Sequence, residues 1–356
     1  MGRLTASGLP EAEARARNDL RRIADGVAAA FGELLTLAVI GAFGRGEGAM
    51  ARTEAGFAPW NDYDLLLVTP TRSGWERIGP LCAELKKDLG LPGLDIVPFT
   101  PGDLVRAADT MLVIDARRGH GLLRGTAGPL HDIPAVPVAR TEALILLLNR
   151  MVCLLECPPQ ELTGEMPDPT RFPSQVSKAV LAVVDAALVK AGTYVVPYRE
   201  KVARFKALAP DDPLAEAAEE ALSFRVEPGP RRWSTDLWRL ACGRLIAEVG
   251  SFVGSPSASA SHVAQALWRR RFLPVRPTLR SLLKTGRFDA RRRAVECAEV
   301  LVLGASGLEG SDQADALRLA HRFLAHSGPA PRFTCWSEAA RLSVQRWFEV
   351  CYGEPV

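Results

Sequence analysis

The chain has 356 residues, is 47% hydrophobic and carries a net charge of +3 from 44 basic and 41 acidic side chains. That length exceeds one small core and predicts two domains, each able to bury its own apolar surface. Residues 11–22 are densely charged, which excludes a signal peptide, and charges interrupt every apolar run well short of the roughly 18 residues of a bilayer span, so a cytoplasmic protein with no membrane partner is expected.

The seven cysteines, Cys82, Cys153, Cys157, Cys242, Cys297, Cys335 and Cys351, include one pair four residues apart and no second pair at metal-ligand spacing. His120, His131, His262, His321 and His326 form no cluster either, which argues against a zinc hydrolase. Reduced core cysteines are the expected state.

In chain order, Leu20, Ile23, Val27, Phe31 and Leu34 recur at helical spacing and predict a helix over 11–35. A strand over 35–40 follows, then a glycine-rich turn, a helix from 44 to about 50 and a surface loop over 49–60. A second strand opens at 62 and ends near 68; a helix over 75–89 leads to a short apolar run, 94–99, with one central acid, Asp95. Thr100 and Pro101 read as a helix start, with one helix running on towards Asp115. Leu122 and Leu123 read as a short edge strand; His120, just before them, stands either in contact with substrate or merely exposed. Pro134 and Pro137 bracket an extended connector. Beyond it the pattern is helical, over 141–157, 174–191, 212–223, 234–253, 261–271, 288–303, 311–325 and 336–352. The fold class is therefore α+β: an N-terminal mixed sheet flanked by helices over 1–137, then an all-α domain over 138–356.

Chemistry concentrates in Gly41-Ala42-Phe43-Gly44-Arg45-Gly46-Glu47-Gly48 and Asn61-Asp62-Tyr63-Asp64. On a strand successive side chains alternate, so Asp62 and Asp64 share a face and Tyr63 takes the other. Two adjacent carboxylates repel unless a cation lies between them, and Mg²⁺ held together with substrate phosphates is the usual solution. A glycine turn with exposed backbone N–H groups next to such a pair is a place to seat a triphosphate.

This arrangement resembles the nucleotidyltransferase superfamily that includes DNA polymerase beta, the kanamycin nucleotidyltransferases and the small bacterial MNT proteins. Gly44-Arg45-Gly46-Glu47 is similar to the Arg-Gly-Glu of the MNT group, and Asp62-Tyr63-Asp64-Leu65 to its Asp-x-Asp-hydrophobic segment. The resemblance implies a nucleotidyltransferase-type sheet and transfer of a nucleoside monophosphate, with ATP or another nucleoside triphosphate as donor. Asp62, Asp64 and Asp95 would be the catalytic carboxylates and hold two Mg²⁺ ions; Gly41, Ala42, Gly44 and Arg45 would bind the nucleotide. Ala42 stands where the family has Ser or Gly, which leaves phosphate holding to backbone amides. Arg45 alternatively pairs with Glu47 or Glu54. Lys178, Asp185 and Tyr194 look like part of a helical domain that meets the acceptor, with Glu142, Glu156 or Asp185 supplementing the base. The acceptor is a hydroxyl of a small molecule or protein. Two alternatives stay open: nucleotide addition to a nucleic-acid 3′ end, and a non-catalytic binding protein of the same fold. The first would use the fifteen Lys and Arg against four acids between Arg225 and Arg293, including Arg269-Arg270-Arg271 and Arg291-Arg292-Arg293, which otherwise form a solvated helical face.

Overall fold

In the computed structural model, which describes residues 2–165, 167–229, 234–255, 257–269, 290–307, 310–326, 333 and 335–352, the protein is 62% helical and contains a small mixed sheet, an α+β arrangement. The chain divides into two compact units. The first takes Met1–Ala139, Gly192–Arg204 and Leu222–Gly229, and the second takes Arg140–Ala191, Phe205–Ala221 and Pro230–Val356. A single cut at 137/138 lies two residues before the first exit from the first unit and omits both returns of the chain to it.

Helix α1 (Pro10–Ala30) opens the first unit, with Leu20, Ile23, Ala24 and Val27 on its buried face. Strand β1 (Thr36–Ile40) is buried at every position and runs straight into α2 (Gly41–Gly44), a single turn. The expected helix over 44–50 is absent. Three glycines between 44 and 48 weaken helix formation, and Gly46 at φ +76° takes a left-handed conformation that ends the turn. The next residues form an antiparallel ribbon of β2 (Met50–Thr53) and β3 (Gly56–Pro59) in place of the expected surface loop. Backbone pairing within the ribbon satisfies polar groups that a loop would leave to water.

Strand β4 (Tyr63–Val68) pairs antiparallel with β1. A 3-10 turn at Trp75–Arg77 and helix α3 (Ile78–Leu89) then carry the chain to β5 (Leu94–Phe99), parallel to β4. A parallel neighbour requires such a crossover. Thr100 caps α4 (Pro101–Arg106) in a reciprocal box with Asp103. The single helix expected to reach Asp115 is broken here. Ala107 leaves the helical conformation and Thr110, accepting the N–H of Val113, caps a new helix α5 (Met111–Arg118). Strand β6 (Gly121–Gly125) is the edge strand expected at Leu122 and Leu123; it gives the order β5-β4-β1-β6, and α6 (Gly128–His131) follows.

Strand alternation divides the sheet into two faces. Leu37, Val39, Tyr63, Leu65, Leu67, Leu94 and Ile96 join Leu20, Ile23 and Val27 of α1 and Ile78 and Leu89 of α3 in one core. Asp64 and Asp95, one residue out of step with these, emerge on the opposite face.

The second unit is helical. It contains α7 (Arg140–Leu155), α8 (Gln160–Thr163) and α9 (Arg171–Lys190). Helices α10 (Tyr198–Leu208) and α11 (Leu214–Val226) come next in the chain. They are followed by α12 (Thr235–Val253), α13 (Ala260–Arg269), α14 (Ala290–Ala305), α15 (Gly310–Leu324) and α16 (Trp336–Tyr352). Helices α7, α9 and α12 pack on one another, and α14 packs on α13, α15 and α16. Trp238 is fully buried; its indole N–H donates to the Leu154 carbonyl at 3.4 Å and its ring meets Trp336 edge-on at 6.2 Å. Helix α9 is long and apolar enough to cross a bilayer, and 78% of its apolar window is buried inside the protein. The expected end of the helix over 261–271 and the expected start of that over 288–303 lie outside the described residues.

Tyr63 anchors β4 to α1. Its hydroxyl donates to Asp19 Oδ2 at 3.2 Å, and Arg15 Nε holds the same carboxylate at 2.9 Å, with Asp19 only 1% exposed. Replacing Tyr63 by Phe should remove about 2 kcal/mol, the scale of a buried hydrogen bond to a charged acceptor. Urea denaturation checks this; an unchanged midpoint would mean that Arg15 alone satisfies Asp19.

Candidate metal centre

Sheet register assembles the acidic site. Ile40 stands opposite Asp64 in the β1–β4 pair, and Asp64 stands opposite Asp95 in the β4–β5 pair. Gly41, the residue after Ile40, therefore falls beside the Asp64 carboxylate. A Cβ at Gly41 would collide with that carboxylate, and the backbone there is left-handed at φ +62°, so both space and conformation require glycine. Asp62 precedes Asp64 by two residues and shares its face, while Tyr63 points the other way into the α1 core. Asp62, Asp64 and Asp95 each offer a carboxylate oxygen, and these three atoms lie within 4.8 Å of one another.

Asp62 is exposed, whereas Asp64 and Asp95 are half-buried. Burial, together with the charges of Asp62 and Asp95, pushes the Asp64 carboxyl up from its ordinary 3.8 to about 7; Arg45 and Arg225 oppose the shift. The group is poised to give up its proton to a cation. An octahedral Mg²⁺ at about 2.1 Å from its ligands holds them roughly 3 Å apart when adjacent and roughly 4 Å apart when opposite. Three carboxylate oxygens gathered within 4.8 Å of one another are the donor type a hard divalent cation takes, so these residues could hold one. Among the described residues this is the one group of three or more acidic, His or Cys side chains so arranged. Burial pushes the Cys157 thiol up to about 12, and none of Cys82, Cys153, Cys157, Cys242, Cys297 and Cys335 is in a disulfide.

Beside the trio lies a buried ionic chain. Arg45, 5% exposed at its side chain, pairs with Glu47 at 3.0 Å and with Asp115 at 3.1 Å, and its guanidinium lies 4.8 Å over the Tyr198 ring. The Tyr194 hydroxyl donates to Asp115 at 2.9 Å and accepts from Lys201 Nζ at 3.0 Å. Glu47 also accepts the backbone N–H of Tyr198 at 2.8 Å. Of the two open readings of Arg45, the ion pair with Glu47 is present, extended by Asp115. Asp115 and Lys201 were not legible as partners, because 70 to 156 residues separate the members and no local pattern records such pairings.

Ala42, Glu47, Asn61, Tyr198, Leu222, Arg225 and Val226 line a crevice of about 220 Å³ over the glycine turn, nowhere wide enough to centre a water molecule. No local pattern marks Arg225 for this position, since it lies 183 residues beyond Ala42 in the chain. Tyr194 belongs to the first unit, and Lys178 and Asp185, on α9, to the second. Glu142 lies on α7, and Glu156 pairs with Arg171 at 2.8 Å. His120 hydrogen-bonds the Ala116 carbonyl at 2.7 Å, and its ring lies 6.3 Å from that of His131 in a tilted arrangement. Most of the basic stretch, including Arg270 and Arg271 and the side chains of Arg291, Arg292 and Arg293, lies outside the described residues; within them Arg244 pairs with Asp212.

Compared with family models, curated proteins and solved structures, the chain matches none.

The raised Asp64 value sets a pH dependence. The folded protein binds this proton more tightly than the unfolded chain, so the group's contribution to stability is complete below its unfolded value and is lost as pH rises through about 7. Metal-free protein should show a Tm that falls between about pH 5 and pH 8, with Mg²⁺ restoring it at the upper end and not at the lower. Asp64→Asn should flatten both responses. A wild-type profile that overlays that of Asp64→Asn would show that the three carboxylates do not interact.

Proposed function

We propose that the first unit is the catalytic part of a Mg²⁺-dependent nucleotidyltransferase of the polymerase-beta-like type. It moves AMP from ATP to a hydroxyl of a small molecule or a protein. The convergence of Asp62, Asp64 and Asp95 beside a glycine that only a side-chain-free residue can occupy carries this reading. The grouping of the three oxygens supports a site for a hard cation; two Mg²⁺ ions held there, as the resemblance implies, would neutralise triphosphate charge and acidify the attacking hydroxyl.

The residues divide the work. Asp62 and Asp64 bind and orient the donor triphosphate through the shared cation site, and Asp95 accepts the proton of the acceptor hydroxyl. The hydroxyl oxygen forms a bond to the α-phosphorus, and the bond from that phosphorus to the bridging oxygen of pyrophosphate breaks, so pyrophosphate leaves with the electron pair. Ala42 presents no hydroxyl, which leaves phosphate contact at the turn to backbone N–H groups. Arg45 is committed to Glu47 and Asp115 and holds the turn in shape. A reducing, cytoplasmic setting with ATP and Mg²⁺ at hand suits cysteines without disulfides. Nucleotide addition to a nucleic acid would rest on the basic stretch, most of which lies outside the described residues.

Full-length protein incubated with Mg²⁺ and ATP labelled at the α-phosphate, in the presence of lysate and of candidate hydroxyl acceptors, should transfer label. Asp62→Asn and Asp64→Asn should each reduce the rate by about three orders of magnitude, the scale of losing a group that stabilises transition-state charge. No label transferred by wild type to any acceptor, with no binding of an ATP analogue in Mg²⁺, would refute the proposal.

A further inference from the structure

In the ionic chain beside the trio Arg45 is held by two acids, Glu47 and Asp115; Arg225 is placed differently. It comes from the returning segment Leu222–Gly229, is half-buried, and lines the crevice over Ala42. Its guanidinium lies 5.9 Å over the Tyr198 ring, on which Arg45 also stacks. Among the described residues it makes no ion pair or hydrogen bond, and the crevice it lines also takes in Asn61, the chain neighbour of Asp62. A guanidinium has five N–H donors in a planar fork suited to phosphate oxygens. Here they are held at the edge of an acidic cation site with nothing to bind.

A second, independent observation lies in the same crevice. Asn61 is 7% exposed and lines it, and its Oδ1 is buried without a hydrogen-bond partner. A buried acceptor left unmade costs about 1–3 kcal/mol, which a ligand O–H or N–H would recover.

We propose that Arg225 and Asn61 complete the donor site, the Arg225 guanidinium taking the polyphosphate and the Asn61 amide oxygen taking a sugar hydroxyl. The sugar contact rests on the nucleotidyltransferase reading above; the polyphosphate contact stands on charge and placement. In the ligand-free protein Arg225 serves as a counter-charge to the three acids. When a divalent cation takes that role, the guanidinium turns to the phosphates that arrive with it. Because the crevice is too narrow for water, the 222–226 segment must shift outward to admit the nucleotide.

Removing Arg225 should move two affinities in opposite directions. The acids become more negative as a group, so a bare cation binds as well or better, while polyphosphate loses its partner. Calorimetric titration of the full chain with Mn²⁺ alone, then with tripolyphosphate in saturating Mn²⁺, then with a nonhydrolysable ATP analogue, separates these effects. Arg225→Ala should retain or strengthen Mn²⁺ binding and weaken tripolyphosphate by about tenfold or more, with Arg225→Lys in between. Asn61→Ala should weaken the ATP analogue by about fivefold and leave tripolyphosphate unchanged. Tripolyphosphate bound equally by wild type and Arg225→Ala, or bound by neither, overturns the proposal, as does a parallel loss of Mn²⁺ and tripolyphosphate, the sign of a merely structural residue. An ATP analogue indifferent to Asn61→Ala removes Asn61 from the site. If wild type binds tripolyphosphate through Arg225 and transfers no AMP, nucleotidyl transfer fails and this inference stands; if it transfers AMP and Arg225→Ala matches it in every titration, this inference alone fails.

Discussion

Three carboxylates on one corner of a sheet repel one another, and the strand register gives them no way apart. Ile40 opposite Asp64, and Asp64 opposite Asp95, are fixed by backbone hydrogen bonds along the full lengths of β1, β4 and β5. Slipping β4 or β5 by one residue would drive Asp64 or Asp95 into the apolar core formed with α1 and α3. The hydrophobic effect on one face thus enforces an electrostatic penalty on the other. A protein that needed only this fold could place a neutral residue at each position.

Surroundings temper that penalty without cancelling it. Arg45 contributes positive charge from a buried position, but Glu47 and Asp115 hold it, so its influence at Asp64 is partial. The two returning segments bring Tyr194, Tyr198, Lys201 and Arg225 into the first unit. Through Tyr198 N–H on Glu47 and Tyr194 O–H on Asp115 they bond to the residues that clamp Arg45. The shape of the glycine turn therefore depends on chain that lies about 150 residues further on. Charge in this unit is apportioned so that one half-buried guanidinium and one amide oxygen are left facing the crevice.

Local chemistry was well recorded in the sequence. Asp64 and Asp95 could be assigned to strands from apolar runs, with Asp62 falling just before the strand expected to open on it, and the cap at Thr100, the helix over Ile78–Leu89 and the edge strand at Gly121–Gly125 follow from short patterns. Two local readings failed for identifiable reasons. No helix forms over 44–50, because the glycines at 44, 46 and 48 that allow tight turning also end a helix. The break at Ala107–Thr110 leaves no trace in the apolar spacing, which continues across it, whereas Thr110 carries its own capping geometry.

The sequence by itself determined which residues carry charge on a buried strand, on which face they stand, and that they sit next to a turn that must contain glycine. These are consequences of period-two alternation and of steric limits that act within a few residues. Tertiary structure decided the rest: that β5 pairs parallel to β4 so that Asp95 meets Asp64, that Arg45 is neutralised by Asp115, and that Arg225 and Asn61 share a crevice over Ala42. Such contacts join positions tens to nearly two hundred residues apart. Their energies depend on burial and distance after folding, and no spacing along the chain encodes either quantity.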